Sequence, residues 1–240
     1  MSNKGEKILR QSRSNRFVHW GAAVSIFLLI ITGLGQLPLY KRYNVTNIPG
    51  AEWLGSFFTT LDLHYIGAAG LLFVVFYHLV YHLVRKEFDI MPRKGDMKES
   101  YFIIKAMLTK GKEPDSDKYL AEQRIAYLFI GVNVLLLVFS GLIKVIKNVP
   151  DVVLPSGVVF WATQIHNLAT VLLIFGLVGH FAAFLIKENR KLIPGMFTGY
   201  VDKEYVKHRH SLWYARIKEE KETSKPAKIN LSHSQKVVGH

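Results

Sequence analysis

The stretch HNLATVLLIFGLVGH, residues 166–180, carries a histidine at each end and no charged side chain between them. The two histidines are 14 residues apart, close to four helical turns, so their rings leave one face of a helix about 21 Å apart along its axis. An ionisable ring is costly in an apolar helix, and two in register need a common reason. The solvent around that helix is set by the rest of the chain. Residues 17–40, 63–84, 125–143 and 152–186 contain no Asp, Glu, Lys or Arg. A bilayer core of about 30 Å is crossed by about 20 apolar residues of helix, so each run can span. Pro155 and Gly157 break the start of the fourth run and place its helix start near Phe160. The expected spans are 17–38, 63–84, 124–146 and 160–186. The first is expected to stay in the mature protein, because it is too long for a signal peptide and begins His-Trp.

Charge sets the orientation. Of 31 Lys and Arg, 27 lie before the first span, between the second and third, or after the fourth, leaving Lys41, Arg42, Lys144 and Lys147 in the opposite loops. The positive-inside rule then predicts an all-α, integral membrane four-helix bundle with both termini cytoplasmic; a bacterial or archaeal inner membrane is the expected location. The net charge of +13 is accounted for by topology and attraction to anionic lipid headgroups, which argues against a nucleic-acid partner. Cysteine is absent, which excludes covalently attached haem, cysteine-ligated iron–sulfur clusters and disulfides within this chain.

Residues 1–15 read as a polar cytoplasmic tail, 16–186 as the membrane domain and 187–240 as a cytoplasmic segment whose end is expected to be extended or disordered. In the inner loop, Tyr101, Ile104, Ala106 and Leu108 suggest a short helix on the membrane surface or beneath a partner subunit.

Five of the ten histidines fall inside the spans, His19, His64, His78, His166 and His180, and His82 lies near an end. With the predicted topology, His64 and His166 share the outer depth. His180 lies at the inner depth, where His19, His78 and His82 are all candidates to face it. Two imidazoles from different helices gripping a flat, apolar macrocycle explain such pairs, so two b haems are the expected cofactors. Gly21, Gly67, Gly70, Gly176 and Gly179 lie within about a turn of a candidate ligand, as either a haem pocket or plain helix packing would favour. Asn133 and Ser140 read as polar residues that bond a neighbouring helix or backbone carbonyls. A histidine-based proton or metal-ion transporter is the rival reading, and the absence of Asp and Glu from the spans argues against it.

The pieces RFVHW (16–20), LHYIGAAG (63–70), YLAEQR (119–124), IHNLATVLLIFGLVGH (165–180) and GMFTGYVDKEYVKHRHSLWYARI (195–217) together resemble the gamma, cytochrome b556, subunits of membrane-bound formate dehydrogenases. Those belong to a wider di-haem group that also serves thiosulfate reductases and hydrogenases. The resemblance implies that His19 and His180 ligate the inner haem and His64 and His166 the outer one. His78 and His82 would then hydrogen-bond or reach toward headgroups. It also implies an iron–sulfur subunit and a catalytic subunit on the outer face, and electron exchange with menaquinone or ubiquinone near the inner haem. Gln123 matches the family's quinone segment, whereas Leu120 and Glu122 depart from it. His208 and His210 would pack or hydrogen-bond outside the membrane.

Overall fold

The computed structural model describes residues 5–109 and 111–223, apart from the side chain of Leu108. The chain end expected to be extended or disordered, and the Leu108 side chain of the surface-helix reading, lie outside the described residues. In chain order the elements are β1 (Lys7–Leu9), α1 (Arg13–Gln36), α2 (Leu39–Arg42), α3 (Phe57–Arg85), α4 (Asp96–Thr109), α5 (Ala121–Ile146), α6 (Ser156–Ala182), α7 (Lys187–Arg190), α8 (Ile193–Thr198), β2 (Tyr200–Asp202), α9 (Lys203–Arg209) and α10 (Ser211–Thr223). Among the described residues α1, α3, α5 and α6 are long and apolar enough to cross a membrane. Large side chains such as Phe58, Phe76, Phe175 and Val178 stand exposed on them, the surface a lipid solvent would cover. This is a multi-pass membrane helical bundle.

The helix starts differ from the charge-free runs because capping, not charge, decides where a helix begins. Ser12 caps α1 by accepting from the Asn15 amide (3.0 Å), and Ser56 caps α3 by accepting from the Thr59 amide (3.3 Å). One exposed carboxylate, Asp62, is therefore carried inside α3. At α6, Pro155 occupies the N-cap and its carbonyl accepts from Val158 and Val159, so the helix starts at Ser156 rather than near Phe160. Proline has no amide to satisfy and a preset φ, which makes it a helix starter here rather than a breaker.

The spans form two hairpins, α1 with α3 and α5 with α6; backbone approach between the hairpins is far sparser than within them. A Cβ on Gly21 would lie 2.9 Å from Val74, one on Gly70 2.9 Å from Ser25, and one on Gly176 3.0 Å from Phe129. Gly67 similarly admits Leu28 and Leu29. These four glycines let the helices within a hairpin close, which is packing rather than pocket formation; Gly179 faces open space. The hairpins meet through side chains, in a buried cluster of Ile26, Leu71, Val134 and Leu173 that takes one residue from each span.

Both described ends of the chain lie on one side of the bundle, the terminal side, where β1 pairs antiparallel with β2 and Lys203 meets Glu6 at 2.6 Å. Val201, Tyr205, Val206 and Trp213 form a small second core there. Helix α4 lays Ile103 and Met107 against the start of α5, buries Ala106 and leaves Met97, Tyr101 and Ile104 exposed. Its Asp96 takes a fork of two bonds from Arg124 on α5, at 2.9 and 2.7 Å.

His208 is exposed, whereas His210 is fully buried and its Nδ1 lies 2.7 Å from the Asp117 carbonyl. Burial, reinforced by the Arg10 charge, pushes His210 down to about 3. An unfolded histidine takes up its proton near pH 6.5, and the folded one does not until about pH 3. Its contribution to stability is therefore whole above about pH 6.5 and declines as pH falls from there. Limited proteolysis of residues 200–217 should accelerate from pH 7 to pH 5, and His210→Gln should flatten that dependence; an unchanged dependence would refute this role.

Candidate functional site

Two histidine pairs form across the gap between the hairpins. His64 of α3 faces His166 of α6 on the far side of the bundle, with ring centres 6.4 Å apart and ring planes 58° from parallel. His19 of α1 faces His180 of α6 on the terminal side, at 6.3 Å and 50°. Leu173, halfway between His166 and His180 in the sequence, belongs to the buried cluster, so an apolar layer separates the two pairs.

On the far side, each ring is braced from within its own hairpin. Thr32 Oγ1 lies 2.9 Å from His64 Nδ1, and Ser140 Oγ lies 3.0 Å from His166 Nδ1. The residue after each hydroxyl is a glycine, and a Cβ on Gly33 or Gly141 would stand 3.4 Å from the ring's Cε1, so each imidazole rests flush on the neighbouring helix. The sequence reading does not single out Thr32; Ser140, read there as bonding a neighbouring helix or a backbone carbonyl, does both. The signal was the repeated hydroxyl–glycine step, Thr32-Gly33 and Ser140-Gly141, late in the first and third spans. Asn133 does bond the backbone, its Nδ2 donating to Phe129 O at 2.7 Å.

The terminal-side pair is framed differently. Arg16 and Trp20 of the RFVHW piece donate to the carbonyls of Phe197 (2.5 Å) and Met196 (2.9 Å), tying the base of α1 to α8. This joins two of the sequence pieces physically and fixes the helix face that carries His19. Trp20, Phe181 and Phe184 surround the two rings edge-on. His19 Nδ1 is buried without a hydrogen-bond partner among the described residues.

His78 turns away from this pair. Its Nε2 lies 2.8 Å from the Tyr127 hydroxyl, and its ring packs on His82 at 4.3 Å. His82 Nδ1 lies 2.5 Å from the Glu87 carbonyl, at the end of its own helix. Gln123 sits at the start of α5, where its Oε1 accepts from the Leu120 amide (3.3 Å) and from Arg10 (3.1 Å).

The chemistry of these donors suits a metalloporphyrin. A metal–imidazole bond of about 2.0 Å, with about 1.1 Å more from nitrogen to ring centre, puts two rings on opposite sides of one metal about 6 Å apart. The observed 6.3 and 6.4 Å fit that spacing, and the rings reach across from separate hairpins whose backbones stand apart.

A membrane bundle with paired histidines at two depths and an apolar layer between them meets the requirements of a b-type cytochrome. The chain belongs to the prokaryotic cytochrome b561 family, whose pattern it matches over residues 10–199, and membership implies binding of haem b. It is 26% identical over 219 residues, 90% of this chain and 94% of the relative, to the cytochrome b556(Fdn) subunit of the nitrate-inducible formate dehydrogenase of Escherichia coli (strain K12). To the cytochrome b556(fdo) subunit of formate dehydrogenase from the same strain it is 24% identical over 231 residues, 92% of this chain and 98% of the relative.

Proposed function

We propose that this chain is the membrane cytochrome b subunit of a respiratory complex of formate dehydrogenase type, with His64 and His166 holding one haem b and His19 and His180 a second. The observation that carries the reading is the pair of cross-hairpin ring separations, 6.4 and 6.3 Å, each a distance at which two imidazoles could hold one metal between them. Bound haem supplies a one-electron carrier at each depth. The chain supplies the imidazoles, the apolar layer that excludes water between the two levels, and the clamp from Arg16 and Trp20 to α8 that orients His19.

The far side is assigned to the outer face and the terminal side to the cytoplasm, because 27 of the 31 Lys and Arg fall in the sequence before the first span, between the second and third, or after the fourth. An iron–sulfur partner and its catalytic subunit then dock outside, and a quinone reacts near the inner pair. Gln123 has its Oε1 engaged in capping α5 and binding Arg10, so the amide nitrogen is the group it can offer a quinone carbonyl. Moving negative charge inward against an inside-negative potential costs about 2.3 kcal/mol per elementary charge per 100 mV. The arrangement therefore conserves energy when the donor is strongly reducing.

Purified protein is expected to show b-type bands in a reduced-minus-oxidised spectrum and about two haems per chain by pyridine haemochrome assay. A colourless protein would defeat the proposal. An associated catalytic subunit that oxidises formate would support the choice of complex, and one specific for hydrogen or thiosulfate would replace it.

A further inference from the structure

The two histidine pairs differ in what holds them, and that difference assigns work to two residues. Thr32 is fully buried and Ser140 nearly so. Each hydroxyl has a single proton, and each has a backbone carbonyl four residues earlier within easy reach: Thr32 Oγ1 to Leu28 O is 2.7 Å and Ser140 Oγ to Leu136 O is 2.6 Å. These contacts are shorter than the 2.9 and 3.0 Å to the histidines. The proton therefore goes to the carbonyl, and toward the ring the oxygen can only accept. The ring must then carry its own proton on Nδ1, which leaves the Nε2 lone pair available to bind a metal.

We propose that Thr32 and Ser140 are positioning residues for the far-side haem: each fixes one histidine in the Nδ1–H tautomer and seats its ring against the adjoining glycine, so that Nε2 is presented to iron. The inference rests on the haem reading above. It extends it by making the far-side site preset and the terminal-side site not, since His19 Nδ1 has no such acceptor among the described residues. An acceptor on Nδ1–H also strengthens the imidazole as a donor, favouring the oxidised metal and lowering the potential of the far-side haem relative to a site without one.

The test uses the full chain in detergent or nanodiscs. Redox titration of the two b components is followed with haem content and the low-spin electron paramagnetic resonance signals, in wild type, Thr32→Val, Ser140→Ala and the conservative Thr32→Ser and Ser140→Thr. His64→Ala identifies the far-side component by its loss. Thr32→Val and Ser140→Ala are expected to raise the potential of that component, shift its resonance and weaken haem retention there by about 10–100-fold. The terminal-side component should stay in place as an internal control, and the conservative variants should restore wild-type values.

Two haems in wild type with a far-side component that ignores both substitutions would overturn the inference while leaving the functional proposal intact. A parallel shift of both components would also overturn it, because the effect would then belong to the bundle as a whole. Wild-type protein with no haem would instead defeat the functional proposal.

Discussion

Replacing His166 or His64 by alanine is expected to halve the haem content, from about two per chain to about one, and to abolish one b component while the other keeps its potential. Replacing His19 or His180 should remove the other component. The selectivity follows from position: the pairs lie at different depths, their rings are 6.4 and 6.3 Å apart within each pair, and the cluster around Leu173 lies between them. A single remaining imidazole would hold a haem poorly. His78→Ala serves as the discriminating control. Its Nε2 is taken up by Tyr127 and its ring by His82, so it should leave both haems in place. Loss of a haem in His78→Ala, with His19→Ala retaining both, would reverse the terminal-side assignment.

The second large effect is structural. Arg124→Met is expected to destabilise the terminal side by about 3–5 kcal/mol, read as a lower thermal midpoint and faster proteolysis of residues 86–120, because it leaves the Asp96 carboxylate buried without its partner. The side chains of Arg124 and Asp96 are 3% and 5% exposed, joined by two parallel bonds, and Asp96 also accepts from the Arg93 amide at 2.7 Å. Arg124 donates as well to the Tyr119 carbonyl just before α5. Adding Asp96→Asn to Arg124→Met should recover part of the loss, since the stranded charge is gone; no recovery would show that Arg124 acts through packing alone. The Arg124 guanidinium holds the Asp96 carboxyl below the usual carboxylate range. This contribution is therefore present above about pH 3.9 and lost as pH falls through the lowered folded value.

Much of the arrangement was legible in the chain. Charge-free runs located the spans because a charge in hydrocarbon is costly wherever it falls, and that penalty is written in composition. The far-side pair followed from helical rise and topology, since His64 and His166 share a depth whatever the details of packing. The helix ends were less legible. Pro155 reads equally as a breaker and as an N-cap, and only its backbone geometry and the amides on its carbonyl distinguish the two. The glycines beside the histidines were ambiguous for a similar reason: a small residue serves whichever neighbour approaches, and for Gly21, Gly67, Gly70 and Gly176 that neighbour is the partner helix of the same hairpin.

By itself the sequence determined the number and approximate position of the spans, the grouping of cations on one side and the depth of each histidine, because each depends on local composition and a fixed helical rise. Spacing left His19 and His78 level as partners for His180, and the family resemblance favoured His19; only the tertiary structure decided which helices pair into hairpins, how His19 meets His180, and that Thr32 and Ser140 stand behind the far-side rings. Those outcomes depend on the rotation of each helix about its own axis, which is set by side chains meeting across helices from distant parts of the chain. Apart from the hydroxyl–glycine steps at 32–33 and 140–141, no local pattern records it.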